Sequence, residues 1–281
     1  MNKLVLILLT ITISCNSQDV SDNNVLDSSI ITKNSIIIHK DSIKDTIHIV
    51  PKFAQRLIDS YEDVIDYKDN YILFSDKSKM IYDDRITKNI SERINKPDIE
   101  DQFTYQYSRG ELKSPIVENC DPGRIRNEEF FKKIYGANAQ QVKMNLVEIT
   151  WCPILVNQKI LITKVNGVAD KVKLISAELD KLPQFKKYIQ NIGGTFNWRN
   201  IAGTNRLSMH SFGMTMDINT QFSNYWQWDC KCSDETKKLK YKNQIPQEII
   251  DIFEKYGFIW GGKWYHYDTM HFEYRPELLD M

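Results

Sequence analysis

The sequence predicts an α+β fold, a small antiparallel sheet with flanking helices. Segments of helical period and short apolar runs alternate irregularly, without the regular strand–helix–strand rhythm of a doubly wound sheet. The 281 residues are 42% hydrophobic and 26% charged, the composition of an ordinary globular chain long enough to bury a core. There is no internal repeat, and 11 Gly and 8 Pro are too few for a fibrous or low-complexity protein. With 37 basic and 37 acidic side chains the net charge is zero, which argues against a nucleic-acid partner. Beyond the first fifteen residues no apolar run approaches the roughly 20 needed to cross a bilayer.

Residues 1–15, MNKLVLILLTITISC, set one base, Lys3, before an apolar run from Leu4 to Ile13. This reads as an export leader over residues 1–14, too short for a stable span. Ser14 before Cys15 resembles the bacterial lipoprotein signal, which implies a lipid anchor on Cys15, a membrane as partner and the cell envelope as location. The alternative is an ordinary cleaved leader and a periplasmic protein. Cys120, Cys152, Cys230 and Cys232 would then meet an oxidising compartment that permits disulfides. The first expectation is Cys120 with Cys152, leaving Cys230 and Cys232 to pair with each other or stay reduced.

Residues 15–50, polar and without Gly or Pro, read as a tether. Within it 35–50 could form a short strand, and His39 and His48 have no companions. From Pro51 the composition turns globular, and 51–114 forms an N-terminal segment, which could be a small subdomain up to about 110 and to which the sequence assigns no role. The period predicts a helix over 54–65 and two short strands around a turn over 71–84. Over 126–136 a helix is expected, stopped by Gly136. Residues 144–155 and 159–166 read as paired strands, and 169–182 as an amphipathic helix with Val172, Ile175, Leu179 and Leu182 on one face. Strands are expected over 194–201 and 214–219, a helix over 246–257 between Pro246 and Gly257, and a last strand over 271–276.

The chemistry gathers near the end. His210 opens HSFGMTMD, which closes on Asp217, and YHYDTMHFE holds His266, Asp268, His271 and Glu273. Two imidazoles and one carboxylate are the donors of a catalytic zinc site that keeps a position open. His210, Asp217 and His271 are the predicted ligands: Gly213 lets the chain turn after His210, Asp217 projects back from the next strand, and His271 arrives from the C-terminal strand. Asp268, three residues before His271, cannot share its strand face and must sit in the preceding loop, where a carboxylate near the metal suits a general base. Arg199 is the candidate for oxyanion stabilisation or for clamping a substrate carboxylate. Arg206 is a second cation for such a carboxylate. Ser208 is placed to hydrogen-bond a peptide, and Trp260, Trp264 and Tyr265 to wall the site, with core packing as the plain alternative. His266 reads as a packed neighbour. Glu273 could support the site, bind a substrate amine or form an ion pair. The same donor types also make an iron facial triad, but those sites space their ligands as His-x-Asp or His-x-Glu.

Taken together, FNWRNIAGTNRLSMHSFGMTMDIN and EKYGFIWGGKWYHYDTMHFEYRPEL resemble the VanY-like zinc D-alanyl-D-alanine carboxypeptidases and their L-alanyl-D-glutamate endopeptidase relatives. The shared motifs are Ser-x-His-x6-Asp, Gly-Phe-x-Trp-Gly-Gly and Asp-x-x-His-Phe-Glu, in that order, and the resemblance extends over 115–281. It implies a zinc peptidase domain of the fold shared with the hedgehog signalling domain. It implies one zinc on His210, Asp217 and His271, Asp268 as base, substrate contacts from Ser208, Arg206 and Trp264, and a role for Arg199 at the substrate or transition state. The implied substrate is the peptide stem of peptidoglycan. The alternative function is a zinc-containing module that binds wall peptide or a protein partner without cutting.

Overall fold

In a computed structural model, residues 49–113 and 115–279 are described. The leader, Cys15 and the tether up to residue 48, with His39 and His48, lie outside the described residues. The first helix, α1 (Lys52–Ser60), buries Ala54 and Leu57. It stops five residues before the predicted end, because Val64 and Ile65 are β-branched and join β1 (Val64–Lys68) instead. A turn at Asp69 and Asn70, both with positive φ, leads into β2 (Tyr71–Phe74), and β3 (Lys79–Ile81) completes an antiparallel meander. The expected pair of strands over 71–84 is present, with β1 beside it.

Next comes α2 (Ile90–Asn95), started by a capping box in which Asn89 and Glu92 bond each other's backbone. Helix α3 (Glu128–Tyr135) is capped by Asn127 and ends at Gly136, as expected. After α4 (Ala139–Met144), the strands β4 (Leu146–Trp151) and β5 (Gln158–Thr163) pair antiparallel without a register shift. Their inner face is covered by α5 (Val168–Leu179), which buries Val172, Ile175 and Leu179, while Leu182 falls beyond its end.

Beyond α6 (Lys186–Ile189), the strand expected over 194–201 is replaced by two isolated bridges, Gly194 with Asp217 and Asn200 with Leu207. The backbone there bonds the following turn rather than a neighbouring strand: Asn197 N–H donates to the His210 carbonyl and Arg199 N–H to Ser211 Oγ. The remaining elements are β6 (Thr215–Asp217), α7 (Trp226–Cys230), α8 (Gln247–Lys255), β7 (Phe258–Trp260) and β8 (His271–Tyr274). They make an antiparallel sheet in the order β6–β8–β7. The α+β class holds, with three small antiparallel sheets where the sequence suggested one.

One buried apolar cluster runs from Val50 to Leu279, so residues 51–114 share their core with the rest rather than forming a subdomain. Tyr61, just past α1, donates a hydrogen bond to Glu277 at 2.7 Å. The expected Cys120–Cys152 disulfide does not form. Cys152 is a free thiol buried against the Ser176 carbonyl on α5, whereas Cys120 lies in a loop whose carbonyl accepts from Tyr265 N–H. Cys230 and Cys232 are bonded to each other. Among the described residues, no helix is long and apolar enough to cross a membrane.

Candidate metal centre

The β6–β8 ladder sets Asp217 directly opposite His271. His210 enters from a 3-10 turn, Met209–Phe212, that ends on Gly213 in the left-handed region (φ 66°). A side chain at Gly213 would be strained there and would meet Leu146 at 2.5 Å, so glycine is required for the turn that aims His210 at the sheet. His210 Nε2 lies 3.1 Å from Asp217 Oδ2, and His271 Nδ1 lies 3.0 Å from Asp217 Oδ1. Donor atoms of the three residues all fall within 4.8 Å of one another. A tetrahedral zinc with bonds of about 2.0–2.1 Å has ligand atoms roughly 3.3 Å apart, so this donor set fits the ion in type and spacing.

Partners behind the imidazoles hold their orientation. His210 Nδ1 is 2.8 Å from the Thr195 carbonyl, which leaves Nε2 for the centre. His271 Nε2 is 3.2 Å from Glu273, itself fully buried and paired with Arg126 at 2.7 Å and Arg275 at 3.0 Å. Glu273 thus contacts His271 and is ion-paired with two arginines at the same time. Burial opposes the Glu273 charge, but Arg126, His271 and Arg275 outweigh it and hold the carboxyl well below its ordinary range. Burial likewise disfavours the charged forms of Asp217 and His271. At Asp217 the attraction of His210, and then of His271, outweighs burial and lowers the carboxyl, and at His271 Asp217 and Glu273 outweigh it and raise the imidazole to about 10.

Asp268 sits in the loop before β8, as its spacing from His271 required. Its N–H donates to the Gly261 carbonyl at 3.0 Å, and its carbonyl accepts from His271 N–H at 3.2 Å. A Cβ on Gly261 would lie 2.6 Å from the Asp268 carbonyl oxygen, so only glycine lets the loop close this tightly. Asp268 Oδ1 is buried with no hydrogen-bond partner. Burial and the negative charge of Asp217 raise this carboxyl to about 7, against the pull of His271, His210 and Arg126. A half-buried acid with one unpartnered oxygen beside the donor set is free to take up and release a proton near neutral pH.

The other predicted residues divide. The Trp264 ring lies 5.6 Å from that of His271, but its N–H is spent on the Pro122 carbonyl at 2.6 Å, so it walls the site rather than offering a donor. Ser208 is buried at the start of the His210 turn. Arg199 does not reach the cluster: it is exposed, and its guanidinium donates to the Asn200 carbonyl at 3.2 Å. Without a strand over 194–201, no alternation turns it inward. Arg206 lines a separate cavity. His266 is a packed neighbour, 2.7 Å from Asp121 and 3.0 Å from the Glu235 carbonyl. The arginine the sequence missed is Arg126, which pairs with Glu273 and stacks over Trp264 at 5.6 Å. The only signal was the Arg-Ile-Arg stretch before α3.

Residues 202–274 match the D-alanyl-D-alanine carboxypeptidase family model. The matched segment contains all three donor residues and Asp268, and it bears out the VanY-like resemblance over those positions. Over that segment the chain is similar to a peptidase family. No curated protein and no solved structure matches the chain.

Proposed function

We propose that this chain is a zinc peptidase that hydrolyses an amide bond in the peptide stems of peptidoglycan, at a terminal D-Ala or inside the stem. The observation that carries it is the buried, unpartnered Oδ1 of Asp268 beside two imidazoles and a carboxylate, all within the segment that matches the carboxypeptidase family. Zinc held by His210, Asp217 and His271 would polarise the scissile carbonyl and acidify an attacking water. Asp268 takes the proton of that water and delivers it to the leaving amine. Glu273 and the Thr195 carbonyl keep the imidazoles aimed while charge shifts at the centre. Trp264 keeps bulk water from one side of His271.

A zinc that served only to hold or bind would gain nothing from an unpartnered carboxyl oxygen of Asp268 beside it, which favours catalysis over a non-cutting module. The leader-like residues 1–15 would place the enzyme in the envelope, anchored through Cys15, where its substrate lies. The domain is inferred to have the fold shared with the hedgehog signalling domain.

The test is mass spectrometry of muropeptides incubated with the zinc-loaded protein, beside Asp268→Ala. Wild type should release D-Ala or stem fragments, and Asp268→Ala should bind zinc normally but turn over about 10²–10⁴-fold more slowly. Absence of product from every stem variant would favour the binding module, and near-normal turnover of Asp268→Ala would remove it as base.

A further inference from the structure

Hydrolysis of an amide needs a hydrogen-bond donor where negative charge develops on the carbonyl oxygen. The donors around the metal centre are mostly committed. Arg126 is paired with Glu273 at 2.7 Å, and Arg124 with Asp121 and Glu235, both at 2.7 Å. Arg199 is exposed, with its guanidinium on the Asn200 carbonyl, and Trp264 gives its N–H to the Pro122 carbonyl. A further donor comes from the chain just before α7, the phenol of Tyr225.

Tyr225 is extended and forms an antiparallel bridge with Asp268. Two backbone bonds frame the bridge: Trp226 N–H donates to the Tyr267 carbonyl and Thr269 N–H to the Asn224 carbonyl, both at 2.9 Å. Tyr225 and Asp268 are therefore a non-hydrogen-bonded pair, the kind whose Cα atoms approach to about 4.5 Å. Side chains directly opposite in such a pair share one face. The Asp268 carboxyl is on the face of the metal donors, so the Tyr225 ring leaves the bridge on that face too. The charge of Asp268 bears on the phenol, in keeping with that placement. The backbone there is tied down, with Asn224 N–H on Thr269 Oγ1 at 2.7 Å and its side-chain amide on Asp229 at 3.2 Å. The ring itself packs edge-on to Trp226 at 6.2 Å and to Trp228 at 5.4 Å. Towards the phenol oxygen the Trp226 indole acts as a donor, so the hydroxyl proton is not spent on it. Burial and the Asp268 charge raise the phenol to about 12, against the pull of Arg124, so at neutral pH it keeps its proton and serves as a donor.

We propose that Tyr225 is a catalytic residue whose O–H donates a hydrogen bond to the carbonyl oxygen of the scissile amide, from the face it shares with Asp268. The assignment rests on the peptidase reading. As Asp268 takes a proton from the attacking water, the water oxygen bonds to the carbonyl carbon, and the π pair of the carbonyl moves onto its oxygen. The Tyr225 O–H stabilises the charge that gathers there. When the C–N bond breaks, that pair re-forms the carbonyl, and Asp268 gives its proton to the amine nitrogen. Tyr225 transfers no proton and ends the cycle as it began.

The experiment separates the hydroxyl from the ring. Tyr225→Phe removes one oxygen and keeps the packing against Trp226 and Trp228. In the zinc-loaded full chain it should lower kcat and kcat/KM alike, about 10²-fold, on the stem peptide that wild type cleaves. KM, zinc stoichiometry and melting temperature should stay at wild-type values. Phosphinate analogues of D-Ala-D-Ala and of L-Ala-D-Glu carry a charged tetrahedral centre in place of the amide, so calorimetry with them reads the same hydrogen bond without turnover. The tighter of the two should bind Tyr225→Phe about 10²-fold more weakly than wild type. The unreacted dipeptides, titrated into Asp268→Asn with and without Tyr225→Phe, should bind equally well. Turnover of Tyr225→Phe within about threefold of wild type, a loss confined to KM, or an unchanged phosphinate affinity would overturn the assignment. If wild type cleaves no stem, yet a phosphinate binds and loses affinity in Tyr225→Phe, the peptidase reading fails and the Tyr225 hydrogen bond stands. If wild type neither cleaves a stem nor binds either phosphinate, both fall.

Discussion

Around Asp98 the chain gathers acids within 4.8 Å of one another, with Asp83 and Asp84 on one side and Glu100 and Asp101 on the other. Around Asp217 it gathers His210 and His271 at the same spacing. By count of oxygen and nitrogen donors both places could hold an ion. The first already contains a cation. Lys88 Nζ lies 2.6 Å from Asp101, 2.7 Å from Asp84 and 3.1 Å from Asp98, and its side chain is 5% exposed. Burial works against that ammonium, but its three hydrogen-bonded carboxylates outweigh burial and raise its pKa. The Asp217 cluster has no fixed cation within it. Its positive charge resides on imidazoles that can give up a proton, and the nearest free acid, Asp268, has an unmet lone pair. The ligand types alone do not distinguish a structural ion-pair knot from a reactive centre. What distinguishes them is whether the compensating charge can leave.

The most drastic way to break the comparison is to remove an imidazole. His210→Ala or His271→Ala should abolish stoichiometric zinc and with it all measurable turnover, as read by elemental analysis and muropeptide release. Full zinc occupancy in either would strike that residue from the ligand set. Next in size is Lys88→Met, which leaves buried carboxylates without their cation and should cost about 3 kcal/mol or more. Urea denaturation should show it, while zinc content stays at the wild-type value. A smaller effect is expected from Glu273→Gln, which weakens the hold on His271 Nε2 and should lower zinc affinity roughly 10–100-fold. A chelator competition assay would reveal it, and unchanged affinity would mean that Arg126 and Arg275 position His271 without that carboxylate.

The donor trio and Asp268 were legible because their chemistry is local. His210 and Asp217 stand seven apart around a turn that Gly213 permits, and Asp268 precedes His271 by an offset that rules out one strand face. The helices α3, α5 and α8 were legible for the same reason, through period and end signals. What was not legible depends on contacts between distant residues. Arg126 meets Glu273 across 147 positions, and neither neighbourhood announces the other. Arg199 looked catalytic only while 194–201 was taken as a strand. Its backbone instead follows the His210 turn, a choice made by tertiary hydrogen bonds rather than by β propensity. Cys152 was misassigned because thiol pairing depends on depth in the core, and nothing in the spacing of four cysteines encodes that.

The finest discrimination between the two clusters is pH. In the metal-free protein His271 titrates at about 10 because burial, which disfavours its charge, is outweighed by Asp217 and Glu273. Its contribution to stability is therefore complete below the ordinary value of about 6.5 and is lost as pH rises toward 10. Asp217, held below its ordinary value, contributes above about pH 4 and loses that contribution on further acidification. The metal-free fold should thus draw most from this cluster between about pH 4 and 6.5. Zinc requires a neutral imidazole, so its binding must expel the His271 proton, and its affinity should rise about tenfold per pH unit between pH 6 and 8. Stability without metal and affinity for metal then run in opposite directions over one range. Lys88 keeps its proton throughout, but the buried carboxylates it leaves behind accept protons more readily at low pH, so the Lys88→Met penalty should be smaller at pH 6 than at pH 8. Zinc affinity flat across that interval, after correction for protonation of the competing chelator, would mean that no proton leaves His271 and that the two clusters do not differ in the way their donors imply.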